Sequence, residues 1–266
     1  GGAAEALAED GALVTNNHYS SDMVGFPAEA LARIEPAESD NRLARALSDE
    51  AGLSVRALER TVATQFDIDG PTDLAVLALT GEGGPRLRDY LQTLDLDTER
   101  YRRVLPLFSD RNAEITVAGR VGSHAWQYLE RETACRVRLF AEERGMEAEG
   151  RAAAGKARSL VAFFLETAGP RRFFQAMAEL GDAAFIDTRV LLAHFRIEAS
   201  RADRFLSDLG CWREISEPFL RDFTQAAAEA SMPVLLGGHS LVSGGLMALN
   251  EFAWRERERD SGATPA

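Results

Sequence analysis

The sequence predicts an all-α protein, either a helical repeat or a multi-helix bundle with a long central helical hairpin. Alanine, leucine, arginine and glutamate dominate the 266 residues, whereas isoleucine, valine, threonine and tyrosine are sparse, so summed propensity favours helices over strands. From Pro27 onward, apolar residues recur every three or four positions between short turn signals, as in amphipathic helices. Residues 114–167 contain no proline and predict two long antiparallel helices.

Helix-breaking and turn-forming residues divide the chain into segments. A polar stretch at residues 16–22 favours an N-terminal arm, because Asn, Ser and Asp side chains compete with the backbone for hydrogen bonds. Pro170 and Pro233 each open a new helix, since proline is tolerated in the first helical turn, and further helices are expected at 183–194, 200–209 and 214–231. The expected segments are an N-terminal arm (1–25), a first short-helix region (26–112), the long helical hairpin (113–168), a second short-helix region with a C-terminal helix (169–257) and a disordered tail (258–266).

Composition and charge restrict the classes of function. The formal net charge is −12, with 30 basic and 42 acidic residues, and such a chain is not expected to bind nucleic acid without a local basic face. Cys135 and Cys211 fit neither a disulfide framework nor a metal-binding spacing. The most apolar stretch, residues 233–249, is too short to span a bilayer, and the first residues lack a secretory signal pattern. We therefore expect a cytoplasmic protein with no membrane span, cofactor or metal site.

Residues 91–105 and 192–206 resemble each other. In each, an apolar helix end leads through a turn to an acidic residue, Asp97 or Glu198, which suits the start of a helix. The matching arginines are Arg100 and Arg103 in the first copy and Arg201 and Arg204 in the second. A true repeat predicts stacked helix pairs of the HEAT kind, with function on a concave or lateral surface. Two amphipathic helices of this composition also look alike by chance.

The second copy and its flanks carry a likeness to a known family. The pattern is an apolar helix, a Gly-Asp step, aromatic and aliphatic positions, and a helix with Arg and Leu before Asp-x-Gly. The residues that meet it are Gly181-Asp182, Phe185, Leu191-Leu192, Arg201, Leu206 and Asp208 to Gly210. Residues 169–210 thus resemble the C-terminal part of an uncharacterised alphaproteobacterial family of helical-repeat proteins. The resemblance implies architecture and no catalytic residue, and the sequence departs from the family beyond Cys211.

Residues 43–62 are similar to the helix-turn-helix of AraC-type regulators. Residues 51–54 would form the turn, and Ser54 would cap a second helix. The resemblance implies that this helix enters the major groove, with Ser54, Arg56 and Arg60 near bases and phosphates. A DNA-binding transcription regulator is therefore one alternative function. The pattern of a helix, a glycine turn and a Ser-capped helix is also common where two packed helices are connected. The chain as a whole is acidic, which does not favour DNA binding.

One row of polar side chains is a candidate for chemistry. His124, Tyr128 and Glu132 follow one another at four-residue spacing and so share one face of a helix, where they could transfer protons or bind a ligand. They support a second alternative, a helical enzyme or ligand carrier with a pocket near His124. A single histidine beside Trp126 is more commonly a hydrogen-bonded, partly buried side chain.

A glycine-rich segment near the C-terminus suggests a packing surface rather than a nucleophile. Gly238-His239-Ser240-Leu241 resembles the nucleophile motif of hydrolases, but Val242 replaces the second glycine and no histidine follows Ser240. The segment is instead expected to let another helix approach closely. The residues of this interaction surface are Gly237, Gly238, Leu241, Gly244, Gly245 and Leu246. The main hypothesis is a non-catalytic helical protein with an interaction or regulatory function, which binds another protein or itself.

Overall fold

The computed structural model describes residues 12–19, 21–36 and 42–261. The all-α prediction is wrong, because the chain is α/β: it contains a four-stranded parallel sheet and a three-stranded mixed sheet. It divides into two compact units, residues 1–65 and residues 66–266. In the described part of the chain, no helix has both the length and the apolarity needed to cross a bilayer.

Unit 1 contains the mixed sheet, whose strand order is β2-β1-β3. Strand β1 pairs with β2 antiparallel and with β3 parallel. The elements are β1 (Ala12–Thr15), β2 (Val24–Gly25), a 3-10 turn (Ala28–Arg33), α1 (Leu43–Asp49), β3 (Ser54–Ala57) and α2 (Val62–Gln65). Leu13, Leu47 and Leu53 bury their side chains together between sheet and helix. A strand therefore lies where the sequence predicted an N-terminal arm.

Unit 2 is built around the parallel sheet, whose strand order is β5-β4-β6-β7. The strands are β4 (Glu114–Gly119), β5 (Arg136–Ala141), β6 (Ala183–Asp187) and β7 (Val234–Gly237). The central strands β4 and β6 are almost wholly buried, as expected for parallel strands covered on both faces. The predicted hairpin at 113–168 is wrong, because this region contains two strands and the helix between them.

Helices connect and cover these strands. The helices of unit 2 are α3 (Pro71–Thr80), α4 (Pro85–Leu91), α5 (Glu99–Arg102), α6 (Leu105–Phe108), α7 (Ser123–Glu132), α8 (Leu160–Leu180), α9 (Thr188–Phe195), α10 (Arg201–Leu209), α11 (Pro218–Ala228) and α12 (Leu246–Asp260). A 3-10 turn (Trp212–Glu214) and a π-helical turn (Leu241–Gly245) precede α11 and α12, respectively. Gly169 interrupts α8 with a φ of +73°, so Pro170 restarts the helix as predicted.

The main core of unit 2 lies between β6, α8 and α11. Phe173, Phe174 and Phe223 are fully buried there, and the rings of Phe174 and Phe223 are 5.0 Å apart. Ile186 and Leu236 from the sheet pack against the same cluster. This packing fixes the ends of β6 and β7, which carry polar residues discussed below.

Four further architectural expectations are overturned. Ser54–Ala57 is a strand paired with β1, so the second helix of the helix-turn-helix resemblance is absent, and with it the element that would enter a DNA groove. Ala183–Asp187 is a central strand rather than the start of a helix, and Pro233 precedes strand β7 rather than a helix. The two similar segments each form a helix, a turn and a second helix, but they belong to an α/β unit and not to a HEAT-type stack.

Candidate functional site

The topology of the parallel sheet indicates where a ligand can bind. From β4 the chain passes to β5 on one side, whereas β6 lies on the other side of β4. The connections that leave β4 and β6 therefore diverge and open a crevice at the carboxyl ends of these strands. Open α/β sheets bind ligands at such switch points. Gly119 and Asp187, the last residues of β4 and β6, lie at this edge.

A cavity of about 370 Å³ is present at this edge of the sheet, and we call it the arginine cleft. Its walls come from the start of α3, from α10 and from the loops after β4, β6 and β7. The charged and titratable residues that line it are Asp69, Asp73, Arg120, Arg189, Arg201, Arg204, Asp208 and His239. The sign and the pairing of these charges determine which ligand the cleft can take.

Arg120 forms a bidentate ion pair with Asp187. Its Nε donates to Oδ2 at 2.6 Å, and its Nη2 donates to Oδ1 at 3.1 Å. Oδ1 also accepts the backbone N–H of Arg189, which caps α9. Burial raises the pKa of Asp187, but the charge and hydrogen bonds of Arg120 more than offset it and lower the pKa. Asp187 is thus an ionised, fully buried anchor for Arg120.

Gly119 allows this ion pair to form. Its φ is +132°, and a Cβ at this position would lie 2.3 Å from the Cβ of Asp187. No side chain fits there, because real Cβ contacts are never that short. The glycine at the end of β4 therefore lets Asp187 lie directly beside the turn that carries Arg120.

Arg189 forms a second bidentate pair, with Asp208. The two distances are 2.5 Å from Nη1 to Oδ1 and 2.7 Å from Nη2 to Oδ2. Arg189 Nη1 also donates to Thr188 Oγ1 and to the carbonyl of Gly237. Burial raises the pKa of Asp208, and the hydrogen bonds from Arg189 oppose that shift. Arg189 is consequently held rigidly by two strand ends and by α10.

Arg201 and Arg204 have no such partners. They lie three residues apart on α10 and so share a face of the helix. Within the part of the chain that the structure describes, neither guanidinium forms an ion pair or a hydrogen bond. Burial, together with the charges of Arg189 and Arg201, lowers the pKa of Arg204. The wall formed by α10 therefore presents two guanidinium groups without an ion-pair partner to the cleft.

Asp73 is the buried carboxyl at the start of α3, which also lines the cleft. It is 3 % exposed, and its Oδ2 accepts the backbone N–H groups of Asp69 and Gly70 at 2.9 and 2.8 Å, which caps the start of α3. Among the described residues, none donates a hydrogen bond to its Oδ1. Burial raises the pKa of Asp73 to about 7, and the nearby Asp208 carboxylate contributes to the shift.

The loop after β7 supplies the remaining residues. His239 is exposed and lines the cleft. Ser240 points elsewhere: it is 1 % exposed, and its Oγ donates to the carbonyl of Asp67 at 2.8 Å. Ser240 anchors the loop and is not an activated nucleophile. No protein-family model, curated protein or solved structure matches this chain. Function is therefore inferred from the chemistry of the cleft.

The structure brings the residues of the predicted α7 row together only in part. Tyr128 and Glu132 line an open groove of about 660 Å³ between α7 and α12, and His124 does not. The hydroxyl of Tyr128 donates to the carbonyl of Met247 at 3.3 Å and accepts from Asn250 at 3.0 Å. Burial raises the pKa of Tyr128 to about 12. Tyr128 therefore joins two helices and is poorly suited to proton transfer near neutral pH.

The other predicted site residues lie in different places. Ser54 and Arg56 are exposed on β3, and Arg60 is exposed in the loop that follows. In the proposed interaction surface, Gly237 ends β7 and Gly238 lines the cleft. The other four residues of that surface, Leu241, Gly244, Gly245 and Leu246, are buried inside unit 2. These four residues are therefore packed inside the unit and do not form an exposed surface.

The cleft was missed because its strands were not recognised. The run that ends in Asp187 is five buried residues long, and it is followed at once by a helix. Read as a strand, that run would have placed Asp187 and Arg189 at a carboxyl end, where ligands bind. No comparable signal identifies Asp73, whose position in the cleft depends on tertiary structure alone.

Proposed function

We propose that unit 2 binds a small ligand with an oxyanion group, phosphate or carboxylate, in the arginine cleft. The observation that carries this proposal is the pair Arg201 and Arg204, which present unpaired guanidinium groups to a cavity at the switch point of the sheet. Guanidinium groups match the planar, bidentate geometry of such anions. The other two arginines are already neutralised by Asp187 and Asp208.

The charge of the whole chain supports a specific site. At −12 the protein repels anions in general, so nonspecific binding of a polyanion is not expected. Arg120 and Arg189 are held by carboxylates and do not have to be ordered when a ligand arrives. Pre-ordered side chains reduce the entropic cost of binding. The cleft therefore combines two pre-ordered guanidinium groups, which are paired with carboxylates, with the unpaired guanidinium groups of α10.

The size of the cleft favours a small molecule. Its volume of about 370 Å³ lies near the lower end of the range typical of small-molecule sites, roughly 300–1,000 Å³. A cavity of this size can hold a metabolite or an inorganic anion, but not a macromolecule. Asp73, at the start of α3, limits the negative charge that the cleft tolerates.

Isothermal titration calorimetry with inorganic phosphate and pyrophosphate, in chloride buffer of constant ionic strength, tests this proposal. We expect saturable binding that the double change Arg201→Gln and Arg204→Gln weakens by at least about tenfold, because hydrogen bonds to charged groups contribute roughly 1.5–3 kcal/mol. Arg86→Gln is the matched control, since Arg86 is exposed on α4 and outside the cleft. Absence of binding, or equal loss in the control, would refute the proposal.

The protein-interaction function expected from the sequence is a second proposal, in the form of self-association. It is supported by three exposed apolar side chains on the first half of α8, Leu160, Phe163 and Phe164, since contiguous exposed apolar residues commonly mark interfaces. Light scattering over a concentration series tests it. We expect a concentration-dependent dimer that Leu160→Ser and Phe163→Ser dissociate, and a monomer at all concentrations would end this proposal.

A further inference from the structure

The arginine cleft contains a feature that a simple anion site should lack. Asp73 faces the cavity with a side chain that is 3 % exposed. Its Oδ2 is occupied by two backbone N–H groups, whereas its Oδ1 has no hydrogen-bond donor among the described residues. This oxygen can accept a hydrogen bond from a donor that a ligand brings into the cleft.

Oxyanions differ in whether they can bring that donor. Inorganic phosphate near neutral pH still carries at least one P–OH group, whereas sulfate and simple carboxylates are fully deprotonated. A fully deprotonated anion beside an ionised Asp73 would be repelled, because like charges a few ångströms apart are unfavourable in a partly buried site. A P–OH group would instead donate a hydrogen bond to the carboxylate.

We propose that the arginine cleft selects a phosphate group that retains a proton, and that Asp73 Oδ1 accepts the hydrogen bond from its P–OH. This inference rests on the proposed anion-binding function and specifies its ligand. Arg201 and Arg204 on α10 neutralise the other phosphate oxygens, and Asp73 on α3 rejects sulfate. Asp73 is here a specificity residue and takes part in no bond-breaking step.

The groups that face Asp73 are consistent with this role. On its own helix start and the preceding loop lies Asp69, and on α10 lies the paired Asp208; both carboxylates disfavour ionisation of Asp73. The cationic groups are Arg189 from α9, Arg204 from α10 and His239 from the loop after β7. The charge on any of these groups acts on phosphate and sulfate in the same direction. Only a hydrogen-bond acceptor distinguishes the two anions.

The proton can come from either side of this contact. Burial raises the pKa of Asp73 to about 7, so below that pH the side chain carries its own proton and can donate to sulfate. Selectivity for phosphate over sulfate should therefore be large at pH 8 and smaller at pH 5.5. Inorganic phosphate changes from dianion to monoanion over this range while sulfate stays a dianion, so a variant without the Asp73 carboxyl is the reference for that change.

Asp73→Asn is a nearly isosteric test. The amide oxygen can still accept the N–H groups of Asp69 and Gly70 and so preserve the cap of α3, while the amide N–H₂ replaces the acceptor in the cleft. Asp89→Asn is the matched control, because this substitution removes the same charge at a residue that is exposed on α4, outside the cleft.

Dissociation constants for inorganic phosphate and sulfate should be measured at constant ionic strength, at pH 8 and pH 5.5, for wild type and both variants. We expect the wild-type ratio at pH 8, where both anions are mainly dianions, to favour phosphate by at least about tenfold and to approach one in Asp73→Asn. Between pH 8 and pH 5.5 the ratio should fall further in wild type than in Asp73→Asn. The control should retain the wild-type ratio.

Other outcomes are distinguishable. Equal binding of both anions by wild type overturns the selectivity inference and leaves anion binding intact, whereas binding of neither anion overturns both proposals. A selective Asp73→Asn variant overturns the assignment to Asp73. If this variant does not fold, the wild-type ratio at pH 8 decides alone, because both anions are then mainly dianions and a ratio near one contradicts a hydrogen bond from P–OH to Asp73.

Discussion

The buried ion pair between Arg120 and Asp187 should make a large, pH-dependent contribution to the stability of unit 2. Arg120→Met removes two charged hydrogen bonds, at 2.6 and 3.1 Å, and keeps most of the side-chain volume. Asp187 is fully buried and cannot turn to water. Breaking a buried pair by removing one partner costs roughly 3–5 kcal/mol, and two charged hydrogen bonds at roughly 1.5–3 kcal/mol each give a similar figure.

The pH dependence of the effect identifies its cause. In the wild type Arg120 lowers the pKa of Asp187, so this pair contributes stability above the unfolded-state pKa and loses it as pH falls through the lower folded-state pKa. Without Arg120, burial dominates and raises the pKa of Asp187 above its unfolded value. Protonation of Asp187 should therefore reduce the destabilisation of the variant as pH falls. The difference in the free energy of unfolding between wild type and Arg120→Met should narrow between pH 7 and pH 5 by at least about 1 kcal/mol.

Urea unfolding monitored by circular dichroism at both pH values measures this gap. Arg136→Met is the matched control, because Arg136 pairs with Glu114 at 3.2 Å but is 73 % exposed, and surface pairs contribute roughly 0–1 kcal/mol. A loss below 1 kcal/mol for Arg120→Met, or a loss of equal size at pH 7 and pH 5, would refute the reasoning.

Three further predictions concern the sheet edge, the core and the α7 row. Gly119→Ala should destabilise unit 2 by at least about 2 kcal/mol in urea unfolding, because the new Cβ meets Asp187 and φ is +132°. Gly122→Ala, where nothing lies within 4 Å, should be nearly neutral, and equal effects would contradict the steric argument. Phe223→Ala should cost roughly 3–5 kcal/mol by the same measurement, because the ring is fully buried; a loss under 1 kcal/mol would show that the core rearranges freely. Tyr128→Phe should cost about 1 kcal/mol and leave phosphate binding unchanged, and a loss of binding would mean that the ligand lies in the α7 groove.

The helices were more predictable from the sequence than the strands. The helices expected at 200–209 and 214–231 are present as α10 and α11. In both, the spacing of the apolar residues and the N-cap residue favour a helix. Strand β6 was misread because its sequence, Ala-Ala-Phe-Ile-Asp, is rich in alanine and too short for a period to appear. A buried parallel strand has no alternation of polar and apolar residues, so periodicity cannot distinguish it from a buried helix.

The candidate site was less predictable still, because its parts come together only in three dimensions. Asp187 and Arg189 are close in sequence, but their partners Arg120 and Asp208 come from other elements. Asp73 looks like an ordinary residue of a helix start, and it does cap α3. Its burial against the cleft, which raises its pKa, follows from packing that no local pattern encodes.

The two similar segments, residues 91–105 and 192–206, show why matching sequence positions do not imply equivalent roles. Arg204 matches Arg103 in the first copy, yet Arg103 is exposed and Arg204 lines the arginine cleft. Arg201 matches Arg100, which donates instead to the backbone carbonyl of Asp208. Only the second copy follows directly on a sheet strand, because β6 leads into α9 and then α10. The position of the unpaired charge on α10 thus depends on the connection that leaves the carboxyl end of β6. Arg204→Gln should therefore weaken phosphate binding, and Arg103→Gln should leave it unchanged.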